Sequence, residues 1–184
     1  DVTDFRANGL GFSLKWNKDW ADSVISYASL QPEKRSKEHN KIIDPVHTSY
    51  SQRHILPLSH MRVSFGNRSL VRKLNGSYDE KFAQMRVFMT YYMTQPGKKL
   101  SFMGNEISQF DEWNPQASIQ WFLLDYEKHA RYQFFCAEIN SLYLKTPALW
   151  ENDGGWEGFR WIEKEDSEKQ TVSYSRIDAM GNEI

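Results

Sequence analysis

The sequence predicts an α/β fold that gives way to a short all-β stretch near residue 150. Three observations carry this. A strand-like run at residues 55–59 is followed by a long amphipathic helix at 77–94 and a second strand-like run at 99–103, which together form a βαβ unit with parallel strands. A second long helix follows over 126–145, so the order strand–helix repeats. Beyond Pro147 the apolar residues stop recurring at helical spacing and begin to alternate, as in strands half exposed to water. At 184 residues the chain can bury one domain-sized core, or slightly more.

Taken in order, the opening GLGFSLKW reads as a short extended run, with Gly9 and Gly11 marking a turn or a close backbone approach. Residues 19–30 read as a helix with Asp19 as N-cap and Trp20, Val24, Tyr27 and Leu30 on one side. The polar QPEKRSKEHNK at 31–41 reads as a surface loop. His39, His47 and His54 fall at spacings that fit no zinc pattern, so neither a metal nor a cofactor is expected. In the helix at 77–94, Ser77 and Glu80 form an S-x-x-E capping box. Phe82, Met85, Met89, Tyr92 and Met93 line its inner side, and Gln95-Pro96-Gly97 ends it. In the helix at 126–145 the apolar side is Tyr132, Phe135, Cys136, Ile139, Leu142 and Tyr143. Residues 156–162 and 171–177 then read as two strands, and DAMGNE at 178–183 as a hairpin turn whose far arm is cut short. The division falls near 147: residues 1–147 are α/β, and 148–184 begin an all-β domain.

A net charge of −1 and 26% charged residues give no electrostatic footprint for nucleic acid or an anionic membrane surface. No apolar run is long enough to span a membrane. The single cysteine, Cys136, rules out an internal disulfide and points to a reducing, cytoplasmic compartment, with the thiol packed in the core. The first residue is not Met, as expected of a processed chain or one cut from something longer. Aromatic residues reach 15%, which suits either a large core or a cleft that stacks sugar rings.

In parallel α/β folds the chemistry gathers on loops after the carboxyl ends of strands. Two such ends are visible, at Ser59-His60-Met61-Arg62 and at Gly104-Asn105-Glu106. Asp111, Glu112 and Asn114 in QFDEWNP read as a loop whose side chains bond their own backbone. With these runs together, LPLSH, the capped helix, PGKKLSFMGNE, EWNP, LLDY, GLGFSLKWN and LYLKTPAL, the chain resembles the glycogen (1,4-α-glucan) branching enzymes of the α-amylase superfamily. The resemblance runs over nearly the whole chain and is weakest at 31–53.

That resemblance implies a (β/α)8 barrel followed by a small all-β domain, with residues 1–147 supplying the last part of the barrel and 55–60 and 99–104 its seventh and eighth strands. It implies a cytoplasmic glycosyltransferase of glycogen biosynthesis that acts with retention on an α-1,4-glucan. An aspartate serves as nucleophile and a glutamate as acid and then base, because one carboxylate must be ionised while the other is protonated. Both residues are implied to lie ahead of Asp1. His60, Glu106 and Trp113 are the implied substrate-binding residues. A third carboxylate, an aspartate followed by glutamate, is implied directly after the histidine, where this chain has Met61 and Arg62. Phe65 and Asn67 depart from the polar pattern as well.

Methionine accepts no hydroxyl hydrogen bond as a carboxylate does and offsets no oxocarbenium charge. The chain alone is therefore expected not to branch glucans. Three accounts of Met61 stand open: a decayed pseudoenzyme or remnant, a local reading error, or a functional variant. GATGAG encodes Asp-Glu and, read one base on, begins Met-Arg. A non-catalytic glucan-binding module using Trp113, Trp121 and Trp156 is the alternative, and a debranching hydrolase fits less well. Open sheet edges on the isolated chain are expected to promote self-association.

Overall fold

Three parallel strands form the first sheet, in the order β1 (Lys15–Trp16), β2 (His54–Leu58), β3 (Lys98–Ser101). Lys15 is in register with His54, and Ile55 through Leu58 with Lys98 through Ser101. The computed structural model describes residues 3, 9–50, 53–64 and 66–184. Between β1 and β2 run α1 (Lys18–Ala28), α2 (Pro32–Arg35), a 3-10 stretch (Ser36–Ile42) and α3 (Asp44–Ser49). Between β2 and β3 run a 3-10 turn (His60–Arg62), α4 (Leu70–Lys73) and α5 (Tyr78–Thr94). The parallel pairing of β2 with β3 around α5 is the βαβ unit that the sequence indicates. After β3 come two 3-10 turns (Asn105–Ile107 and Trp121–Asp125) and α6 (Glu127–Lys145). An antiparallel pair, β4 (Phe159–Glu163) and β5 (Ser173–Arg176), completes the chain.

The core lies between the sheet and α1, α5 and α6. On β2, Leu56 and Leu58 are buried against Phe82, Met85, Met89, Tyr92 and Met93 of α5, and Tyr132, Cys136 and Ile139 of α6 close the layer. The capping box on α5 is formed: Glu80 N donates to Ser77 Oγ at 3.4 Å and Ser77 N to the Glu80 carboxylate at 2.7 Å. Those two orphan amides are thereby satisfied at the helix start. At the other end Gly97 has φ +113°, and a Cβ there would stand 3.2 Å from Leu56 Cγ and 3.3 Å from the His54 carbonyl. Glycine alone lets the turn out of α5 run this close to β2.

Four expectations need correction. The N-cap of α1 is Asn17, whose Oδ1 accepts from Trp20 N at 2.9 Å, and Asp19 sits inside the first turn. The buried stripe is accordingly Trp20, Ala21, Val24 and Ile25, and Tyr27 and Leu30 are only half-buried. The polar segment 31–41 is helical rather than loop. Pro32 opens it at a position where its missing N–H is harmless. The Arg35 guanidinium draws the segment onto the protein, donating to the Ala28 and Leu30 carbonyls and to Gln84 Oε1 at 2.9, 3.2 and 2.6 Å. On α6, Leu142 is 50% exposed while His129 is buried, so the inner stripe begins a turn earlier than the apolar residues alone suggest. The cut-short arm after DAMGNE does reach back: Ile177 bridges Glu183, and Arg176 and Ile184 exchange two backbone hydrogen bonds of 3.0 Å.

Arg176 fastens the antiparallel pair to the rest. Its side chain is 1% exposed and donates to Asp153 Oδ1 at 2.7 Å, to the Gly158 carbonyl at 3.0 Å and to the Thr94 carbonyl at 2.9 Å. Lys98 reaches the same aspartate at 3.1 Å. Replacing Arg176 by Ala leaves Asp153 short of its buried partner, a change that costs about 3–5 kcal/mol. Urea unfolding of Arg176→Ala is expected to show that loss, with the Lys169→Ala surface variant within about 0.5 kcal/mol of the parent.

Candidate functional site

The loops that leave β2 and β3 at their carboxyl ends meet over Phe102. The His60 ring lies 5.8 Å from Phe102 and 6.4 Å from Trp113, centroid to centroid, and Phe102 stands edge-on to Trp113 at 5.1 Å. His60 and Trp113 are each half-buried, so both present an edge to solvent. Met61 is 44% exposed beside them. Arg62 turns away and pairs with Asp22 on α1. Phe65 lies outside the described residues, and Asn67 is exposed, its amide bonded to the Met61 and Ser64 carbonyls at 3.2 and 2.9 Å.

The two loops are knitted together chiefly by backbone. Trp113 N donates to the Val63 carbonyl at 2.8 Å, and Ser69 Oγ to the Phe110 carbonyl at 2.7 Å. The Glu112 carboxylate accepts from Gly66 N and Arg68 N, both at 2.7 Å. Those two amides hold the carboxyl below the usual glutamate range. Arg68 takes φ +60°, which aims its amide at the carboxylate side of the turn. The sequence reading of QFDEWNP holds for Asn114, which accepts from Gln116 N at 2.9 Å, but Glu112 bonds the neighbouring loop instead of its own. Asp111 is taken by Gln120 Nε2 at 2.6 Å. The carboxylates of Asp111 and Glu112 are thus both engaged.

Glu106 is placed elsewhere. Gly104, at φ +91°, turns the chain out of β3, and the buried Asn105 amide donates to the Leu58 carbonyl at 3.3 Å. Half-buried, Glu106 lines a cleft of about 530 Å³ with Lys99, Ser101, Phe102, Cys136 and Asn140, a lining that does not include His60 or Trp113. Phe102 is the wall shared by the two regions. In this cleft burial pushes the Lys99 ammonium down to about 7 and the Cys136 thiol up to about 11. Among the described residues no three His, Cys, Asp or Glu side chains are placed to hold a metal ion, and no helix is long and apolar enough to cross a membrane.

His129 was missed by the sequence reading. It is 2% exposed, its Nδ1 pairs with the Ile107 carbonyl at 2.6 Å, and the Phe82 ring stands edge-on to it at 4.8 Å. It therefore pins the turn that carries Glu106. The signal was available, because His129 lies three residues before Tyr132 on the buried stripe. Trp121 and Trp156 are 52% and 46% exposed and lie outside the His60 cluster.

Parallel strands with helices between them, and functional loops at the carboxyl ends, are the plan of an α-amylase-type fold. An α-amylase from H. orenii matches with a TM-score of 0.51 over 92% of this chain and 37% of its own, at 16% identity, a likeness of fold. The relatives in sequence are more particular. The 1,4-alpha-glucan branching enzyme GlgB of Desulfitobacterium hafniense is 45% identical over 168 residues, 91% of this chain and 27% of its own length. Those of Nitrosomonas eutropha and Geobacillus stearothermophilus are 44% and 40% identical over the same 91%, which is 23% and 26% of their own lengths. No family model matches the chain. The resemblance carried by LPLSH, PGKKLSFMGNE and EWNP is a real one: the chain matches one stretch of the branching enzymes. It spans about a quarter of the length of these curated relatives.

Because the folded Glu112 value is depressed, its tether is present above the ordinary value of 4.5 and is lost as pH falls through the folded value. Amide exchange at Gly66 and Arg68, corrected for intrinsic rates, is expected to be protected at neutral pH and to lose that protection in acid. Glu112→Ala should remove the protection at every pH.

Proposed function

We propose that the chain is the part of a glucan branching enzyme that carries the last strands and helices of a (β/α)8 barrel, residues 1–147, and the start of an all-β domain, residues 148–184. In this reading the loop after β2 meets an α-1,4-glucan through the His60 imidazole, with Trp113 offering an aromatic edge to the sugar. Glu106 serves from the adjoining cleft. The observation that carries the reading is the position of Met61: exposed, next to His60, at the residue where the resemblance implies a transition-state carboxylate. A thioether there contributes shape without charge. The implied nucleophile and acid lie outside the matched stretch, so the chain by itself does not transfer glucan. Its place in the cell is the cytoplasm, with glycogen-like polysaccharide as partner.

The test is a segment exchange. The corresponding stretch of the D. hafniense branching enzyme is replaced by this chain, and α-1,6 linkages formed on amylose are counted after isoamylase release. The hybrid is expected to be about 10²–10³-fold slower than its parent, the usual consequence of losing one preorganised transition-state contact. Met61→Asp should recover most of that loss. A hybrid as fast as the parent, or one that Met61→Asp leaves unchanged, would sink the proposal.

The exposed Trp121 and Trp156 support a second reading, glucan binding without catalysis. Co-sedimentation of the folded chain with glycogen separates the two, since recovery in the pellet requires binding by these 184 residues alone. Among the described residues β1 and β3 each pair on one side only. Such edges recruit further strands. Light scattering is accordingly expected to report species heavier than the 21.7 kDa chain, and a monodisperse monomer would show this wrong.

A further inference from the structure

Away from the loops that follow β2 and β3, a groove of about 730 Å³ lies between α1, the outer side of α5 and residues 170–174. That volume is within the range of small-ligand sites. Part of its wall is an apolar column beside the buried stripe of α5: Ala83, Val87 and Tyr91 recur at every fourth residue, and Val87 is 70% exposed. Phe135 and Tyr174 add aromatic surface from α6 and β5. One edge is tied down, because Gln170 Nε2 donates to the Pro32 carbonyl at 2.9 Å and so joins the β4–β5 loop to α2.

Two independent features indicate what such a groove takes. The first is charge. Arg35 and Arg86 line it, and among the described residues no acidic side chain does. Neither arginine pairs with a carboxylate among those residues. One turn to either side of Arg86, α5 offers Phe82, Ala83, Met89 and Thr90, so its helix neighbours supply no counter-charge. The second feature is the Tyr27 hydroxyl, which belongs to the lining residue nearest Arg35 in the fold of α1 and is buried without a hydrogen-bond partner. Burial raises this phenol above its usual value, so its proton stays available to donate. The Arg35 guanidinium stands 6.0 Å from the Tyr27 ring centroid. A hydroxyl and a guanidinium side by side are donors that one carboxylate accepts together. The aromatic walls suit a flat apolar body behind that head.

We infer that this groove is a binding site for a small planar aromatic carboxylate, its rings against Val87, Phe135 and Tyr174 and its carboxylate toward Tyr27 and Arg35. The site goes beyond the function proposed above, because none of its lining comes from His60, Glu106 or Trp113.

The experiment is a calorimetric titration of the whole 184-residue chain with naphthoate and with its uncharged isostere, naphthamide. Naphthoate is expected to saturate a single site, and naphthamide to bind it roughly tenfold more weakly. Tyr27→Phe removes a hydroxyl that bonds nothing in the protein, so the melting temperature should hold while naphthoate affinity falls roughly tenfold. Arg86→Gln, at an exposed position, should weaken naphthoate severalfold and leave naphthamide as it was. Equal affinity for the acid and the amide would overturn the inference, as would naphthoate affinity undiminished in either variant. Maltoheptaose that displaces naphthoate would overturn it too, by making the groove a sugar site.

Discussion

The buried Arg176 guanidinium is the contact on which the two sheets depend. One side chain on β5 holds the last carbonyl of α5, the carbonyl of Gly158 just ahead of β4, and the Asp153 carboxylate that Lys98 at the start of β3 also reaches. A charge taken this far out of water is tolerable only because its donors are met. The consequence is geometric. The end of α5 and the start of β3 are fixed relative to each other, and β3 in turn sets where Phe102 stands beneath His60 and Trp113. A second bond, between Thr94 Oγ1 and Tyr174 Oη at 2.5 Å, ties the same pair of elements two residues earlier on β5.

From that frame the loops after β2 and β3 inherit their positions, and they hold each other as much as the sheet holds them. Glu112 closes the turn at Gly66 and Arg68, and Trp113 bonds back to Val63. The carboxylates near His60 are thus spent on architecture. An arrangement of this kind positions an imidazole and aromatic edges well, and leaves the task of charge stabilisation to residue 61. That residue is methionine, which is why the proposed role turns on a single side chain.

The long elements were legible because their signals are redundant. The helix α5 announces itself by a capping box, a five-residue apolar stripe and a Pro-Gly stop, and β2 and β3 flank it at the distances a crossover needs. The segment 31–41 was not legible, since its helix is held by one arginine reaching backward to Ala28 and Leu30, contacts that composition does not encode. The N-cap of α1 was mistaken because Asn17 and Asp19 are both capping residues and only the backbone decides between them. At the site, the His60 and Trp113 rings come within 6.4 Å of each other, a proximity that their 53-residue separation in sequence does not encode. Glu106 is turned into another cleft by Gly104 and by His129 behind it, a histidine whose role depends on a partner 22 residues away.

The pairing of Arg62 with Asp22 bears on how this loop can change. Residues 61 and 62 stand where the resemblance implies two acids, yet the second position now faces an aspartate on α1. A carboxylate at 61 would stand 44% open to water and break no ion pair of the loop. Restoring one at 62 sets two like charges against each other, a modest penalty at a site this open to solvent. The two positions are therefore unequal in evolutionary terms. A return to acidity at the first leaves the Arg62–Asp22 pair in place, and at the second it is unopposed only after α1 has changed as well.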